Sequence, residues 1–146
     1  ALIYVDLDNF KLVNDNLGHQ MGDKVLLDVA AMLHDAAGKQ DMPARLGGDE
    51  FVIWFDGAGR EAARTKAEEL LKAATTLARY AVDETRKVGM SIGIACIGGQ
   101  PYAPSENAES LVARADEAMY EIKHGGKNAY AFAKDPEDSG DRSDGH

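Results

Sequence analysis

Hydrophobic and polar positions along this chain switch between a period near two and a period near 3.6, and the switches mark its elements. Residues 1–8, ALIYVDLD, open as a strand whose apolar run ends on acids. Residues 9–17 read as a short helix stopped by Gly18. Over 21–37 a longer helix is predicted, with Val25, Leu26, Val29, Met32 and Leu33 on one face. A hairpin follows: MPARL runs up, GGDE crosses and FVIWF returns. Residues 59–80 form an Ala- and Glu-rich helix, and in 87–98 Met90, Ile92 and Ile94 alternate as in a half-buried strand. A Pro-containing loop leads to a helix over 107–123, and NAYAFA, 128–133, makes a short last strand.

Strands joined by crossover helices around an antiparallel hairpin predict an α/β (α+β) sandwich: a mixed sheet with a central antiparallel hairpin and flanking helices. The 146 residues suffice for one core. One domain, 1–134, is expected, followed by a polar, acidic tail over 135–146 with no apolar period, expected to be disordered. The first strand begins without cap or lead-in, which reads as a domain trimmed on its N-terminal side from a longer protein.

Composition narrows the function. Hydrophobic residues make up 45% and charged residues 28%, ordinary for a soluble globular chain. No apolar run approaches the ~20 residues of a membrane span, so no membrane contact is expected. Cys96 is the only cysteine, which excludes an internal disulfide and points to a cytoplasmic setting, with Cys96 itself a small buried hydrophobe. The net charge of −9 disfavours a nucleic acid polymer as partner. A small phosphate ligand remains compatible if metal ions and a few lysines offset that charge.

Several motif matches fail on context. GMSIG, 89–93, has the letters of a nucleophile elbow, but alternation runs straight through Ser91, with no strand-to-helix turn there. GHQMGDKV and HGGKN lack phosphate-loop spacing, and His19, His34, His124 and His146 have no zinc-ligand spacing. Carboxylates remain. Asp6 and Asp8 share one face of the first strand. Asp8 is expected to cap the following helix, whereas Asp6 is poorly placed for a cap and is the functional candidate. Asp49 and Glu50 sit at the hairpin tip, where composition alone leaves a solvated turn and a functional site equally open. If the hairpin lies beside the first strand, Asp6 and Asp49 converge and repel by ~4 kcal/mol per pair at about 4 Å in an effective dielectric of about 20. A hard divalent ion, Mg²⁺ or Mn²⁺, removes that cost, and the paired glycines let a ligand approach. Lys11 stands in the first turn of the first helix, whose N-terminal N–H groups can meet an anion. Lys123 and Lys127 bracket the end of the last helix, where the helix dipole alone also accounts for them. Together these groups describe a triphosphate site for phosphoryl or nucleotidyl transfer.

DLDNFKLVNDNLGHQMGDKVL, RLGGDEF, SIGIA and ADEAMYEIKHGGKN, in this order, resemble the GGDEF family of diguanylate cyclases. The resemblance implies a fold like the palm of nucleotidyl cyclases and polymerases. It implies conversion of two GTP into cyclic di-GMP and two pyrophosphates by an antiparallel-type homodimer with Mg²⁺ or Mn²⁺. By the same resemblance Asp6, the Leu7 carbonyl and Asp49 hold metal, Asp49 helps activate the 3′-hydroxyl and Glu50 is a neighbouring contact. Lys11 steadies phosphate charge in the transition state, and Asn9 and Phe10 offer backbone N–H groups. Asn14 and Asp23 match the guanine-reading pair, His19 a substrate-site position, and Lys123 and Lys127 the phosphate-contacting pair. The family's Arg-x-x-Asp product-inhibition motif is degenerate: Gly38 replaces its arginine while Asp41 remains, so weak feedback is expected. Covalently linked sensory or output domains are implied outside this stretch. The alternative is a catalytically silent GTP-binding module controlling an attached phosphodiesterase or other output domain. Retention of Asp6, Asp49 and Glu50 argues for competence.

Overall fold

β1 (Leu2–Asp8) is the middle strand of a five-stranded sheet of order β2-β3-β1-β4-β5, in a computed structural model of the protein. The structure describes residues 1–81, 83–97 and 107–134; the Pro-containing loop and the tail 135–146 lie outside the described residues. β2 (Met42–Gly47), β3 (Glu50–Trp54), β1 and β4 (Gly89–Ala95) pair antiparallel, and β5 (Tyr130–Phe132) joins β4 in parallel. The mixed sheet with flanking helices expected from the sequence is therefore present. The hairpin, central in chain order, occupies one side of the sheet, and β1 takes the centre.

Alternation along β1 divides the core. Ile3, Val5 and Leu7 face one side and pack with Val25, Val29 and Leu33 of α2 (His19–Ala36), Ala63, Ala67 and Leu70 of α3 (Arg60–Ala74), and Val13 of α1 (Phe10–Leu17). Leu2 and Tyr4 face the other side and pack with Leu111, Ala115 and Met119 of α4 (Ala108–Gly125). The predicted helix over 59–80 divides into α3 and a 3₁₀ segment, Thr75–Tyr80. α4 opens on a capping box in which the Asn107 side chain and Ser110 exchange hydrogen bonds.

Two expectations need correction. β4 is buried along its whole length rather than half-buried, because helices cover both of its faces. Asp8 does not cap α1: the N-cap is Asn9, in the left-handed region at φ 62°, and α1 has no side-chain cap. The Asp8 carboxylate points into the protein, only 1% exposed.

Gly93 shows why the strand run contains glycines. A Cβ there would lie 1.9 Å from the Ala115 carbonyl oxygen and 2.6 Å from the Met119 nitrogen, because the α4 backbone rests on β4 at this point. Gly93→Ala is expected to destabilise the protein by about 3 kcal/mol through overpacking, read as a lower urea midpoint at unchanged m-value.

Candidate active site

The hairpin tip is built to turn sharply and to lean on β1. Gly47 and Gly48 both have positive φ, at 150° and 45°, and a bulge falls between Arg45 and Gly47. The Arg45 side chain braces the turn, donating from Nε and Nη2 to the Gly48 carbonyl at 3.1 and 2.8 Å. The Leu7 N–H donates to the Asp49 carbonyl at 3.1 Å and ties the tip to the end of β1.

β1 and β3 pair with Asp6 opposite Glu50. Carboxylate oxygens of Asp6, Asp49 and Glu50 consequently lie within 4.8 Å of one another, all three residues half-buried. Asp6 Oδ1 is buried without a hydrogen-bond partner and pairs with the Lys123 ammonium at 3.4 Å. Burial pushes the Asp6 carboxyl up to about 6; Lys123 opposes the rise and Asp49 adds to it. An under-satisfied, half-buried set of hard oxygen donors fits a divalent cation such as Mg²⁺.

Lys123, in the last turn of α4, does more than meet a helix dipole. Its Nζ donates to the Leu7 carbonyl at 2.7 Å and pairs with Asp8 at 3.1 Å. Lys127 turns at φ 65° and donates to the Asn9 side chain at 3.3 Å. Asn9 in turn donates to the Lys87 carbonyl at 2.8 Å. The two lysines and the β1–α1 turn thus share one corner of the molecule. Phe10 is anchored in the core, Lys11 is exposed on the first turn of α1, and the uncapped α1 N-terminus leaves backbone N–H groups available.

The other expected positions are set apart from the acids. The Asn14 side chain lies against Gly22, where a Cβ would meet its Oδ1 at 1.8 Å, next to exposed Asp23. His19 opens α2 and is exposed. On the loop before β2, the Asp41 carboxylate accepts from the Gly38 N–H at 2.6 Å and from the Asp56 N–H, in the turn after β3, at 2.9 Å, so it ties these two loops together.

Sequence reasoning missed Tyr4 and Asp116 as neighbours of the acids and gave Asp8 the wrong role. Asp8 accepts from Ser91 Oγ at 2.6 Å and from the Asn128 N–H at 2.9 Å, joining β1, β4 and the loop after α4. The Tyr4 hydroxyl donates to Glu50 Oε2, and burial, then that bond, push the phenol well above its ordinary range. Asp116 of α4 is raised by burial and by the Glu50 charge. Helical spacing was a usable signal, since Asp116 and Lys123 stand two turns apart on one face of α4.

This is an α+β domain with an acidic corner, able to hold a cation, where β1 meets a glycine hairpin. The chain matches the diguanylate cyclase GGDEF domain over residues 1–129 and belongs to that family. It is 39% identical over 132 residues to the bifunctional diguanylate cyclase/cyclic di-GMP phosphodiesterase MucR of Pseudomonas aeruginosa, covering 90% of this chain and 18% of MucR. It is 33% identical over 134 residues to diguanylate cyclase A of Treponema denticola, covering 92% of this chain and 35% of that protein. The chain thus spans a minor part of these relatives. Its fold matches diguanylate cyclase SiaD of Pseudomonas aeruginosa, solved with its activator SiaC, at TM-score 0.76 and 30% identity, over 90% of this chain and 49% of SiaD. No helix among the described residues is long and apolar enough to cross a membrane.

The raised Asp6 pKa carries a stability consequence. Its folded value, about 6, exceeds the ordinary 3.8, so the folded state holds the proton more tightly. The ionised carboxylate therefore costs stability that is absent below about pH 4 and fully present above about pH 6. In chelator, Asp6→Asn is expected to stabilise the protein by about 2 kcal/mol at pH 7.5 and by little at pH 4. Thermal melts at the two pH values check this.

Proposed function

We propose that this chain is a competent diguanylate cyclase domain, condensing two GTP into cyclic di-GMP with release of two pyrophosphates. The observation that carries the reading is the convergence of Asp6, Asp49 and Glu50 beside Lys123. Family membership supports the substrate and product. Asp6, the Leu7 carbonyl and Asp49 would hold Mg²⁺ or Mn²⁺, with Glu50 beside them. A cation there supplies positive charge to the triphosphate and lowers the cost of forming an alkoxide.

The chain's own residues supply the rest. Asn14 meets the guanine edge, and Asp23 accepts from its N1–H and N2–H₂ donors, a pair that adenine lacks. The Asn9 and Phe10 N–H groups, Lys11, Lys123 and Lys127 hold the phosphates, and His19 lies toward the bound nucleotide. Lys123 already carries positive charge to the Leu7 carbonyl and to Asp6, at the end of β1 where the phosphates would lie. Each copy binds one GTP, so catalysis needs two copies facing each other. The 3′-oxygen held by one copy, its proton directed to Asp49, attacks the α-phosphorus held by the other. The O3′–P bond forms, the α-phosphorus–pyrophosphate bond breaks, and the second transfer closes the ring. Alignment of the two nucleotides is the chief contribution of the dimer.

The silent regulatory reading draws support from a relative in Shewanella oneidensis, 35% identical over 128 residues, that is named only as a cyclic di-GMP phosphodiesterase, PdeB. Retention of all three acids favours catalysis. Concentrated protein with GTP and Mg²⁺ is expected to form cyclic di-GMP, detected chromatographically, and Asp49→Ala is expected to lower the rate at least about 100-fold. GTP binding without product in the unsubstituted protein selects the silent module.

Feedback by product should be weak. Gly38 offers no guanidinium fork, and Asp41 already accepts from the Gly38 and Asp56 N–H groups. Calorimetry on nucleotide-free protein is expected to show no submicromolar binding of cyclic di-GMP; such binding, abolished by Asp41→Ala, would overturn the expectation.

A further inference from the structure

We infer that Tyr4 is a positioning residue, whose hydroxyl holds the Glu50 carboxylate in the cation-binding arrangement. The inference rests on the proposed cation site at Asp6, the Leu7 carbonyl and Asp49, and takes Glu50, beside them, as a further contact to that cation. Tyr4 lies opposite Val52 in the β1–β3 ladder, and Asp6 lies opposite Glu50. Tyr4 and Glu50 are therefore diagonal neighbours on one face, a separation that an aromatic side chain can span. The ring is 5% exposed and packed among Leu2, Ala95, Leu111 and Met119, so its direction is set by the core. Its hydroxyl emerges at the polar end of that cluster and donates to Glu50 Oε2.

Without such a bond, Glu50 has reason to leave. It is the longest of the three acids, it stands at a strand end, and Asp6, Asp49 and Asp116 all repel it. Rotation into water would relieve the repulsion and dismantle the ligand set. A neutral donor on one oxygen stops that rotation without adding positive charge to compete with the cation. The other oxygen, Oε1, takes no part in that bond. Lys123, by contrast, bonds the Leu7 carbonyl and pairs with Asp6 and Asp8, and so serves the other side of the site. Partners of this kind, one bond removed from the ion, orient the ligand groups, and their loss typically costs about 10–100-fold in metal affinity.

The test is a Mn²⁺ titration followed by electron paramagnetic resonance, in the presence of a non-hydrolysable GTP analogue. Unsubstituted protein, Tyr4→Phe, Glu50→Gln and the double variant are compared. Tyr4→Phe keeps the ring and removes only the donor, so its melting temperature should stay near that of the parent. Its Mn²⁺ affinity is expected to fall about 10-fold or more. In the Glu50→Gln background the same change should cost little, because the group being held has already changed. Analogue affinity in chelator should not differ between Tyr4→Phe and the parent. Unchanged Mn²⁺ affinity in Tyr4→Phe, with Glu50→Gln weakened, overturns the role of Tyr4 and spares the site. Equal losses from Tyr4→Phe with and without Glu50 also overturn it, and mark a purely structural tyrosine; this cycle decides the matter even if Tyr4→Phe melts early. Unchanged affinity in Glu50→Gln overturns the cation reading of Glu50 and the inference with it.

Discussion

Like charges facing each other across a β-ladder repel, and the pairing of Asp6 with Glu50 places such a contact where the central strand ends. Asp49 adds a third carboxylate from the turn, and Asp116 approaches Glu50 from α4. A chain selected for stability alone would not gather these groups around a single lysine. The cost is tolerable because β1 is clamped on both sides by antiparallel partners and its apolar face is locked into the larger core. The sheet supplies the rigidity that keeps the acids together before any ion arrives. In this sense the site is held under electrostatic stress by the fold, which a bound cation would relieve.

The supporting parts follow from that stress. α4 can deliver Lys123 to the end of β1 only because its backbone rests directly on Gly93 of β4. Asp8 then secures the same corner, taking hydrogen bonds from Ser91 and from the Asn128 N–H just beyond α4. A buried carboxylate with two donors and an ammonium partner is well satisfied, unlike Asp6 two residues earlier. Two acids on one face of one strand therefore have opposite characters. Asp8 organises the lysine-bearing turn, and Asp6 is left in want of a cation.

Relatives of this chain are much longer than the part it matches, and MucR carries two opposed activities in one name. The domain's design suits such use. Its nucleotide-reading candidates, Asn14, His19 and Asp23, sit on the α1–α2 junction, apart from the acids on the sheet. The proposed reaction, joining nucleotides held on two copies, would depend on how the copies are brought together, which attached domains would be able to control.

The elements of this fold were legible because each rests on local periodicity and local breakers: the apolar face of α2, the Gly-Gly turn, the alternation of β4. The shared face of Asp6 and Asp8 was legible for the same reason, since strand side chains alternate over neighbouring residues. What those two acids do was not. A cap and a buried anchor look alike in sequence, and only the packing of Ser91 and the Asn128 turn against β1 made Asp8 the second. Nor could the chain's own pattern place β3 beside β1 in the register that opposes Asp6 to Glu50, or bring Tyr4 to Glu50 and Lys123 to Asp6 and Asp8. Strand order, register and helix docking join segments tens of residues apart, and they are decided by how the whole core closes rather than by any stretch of it.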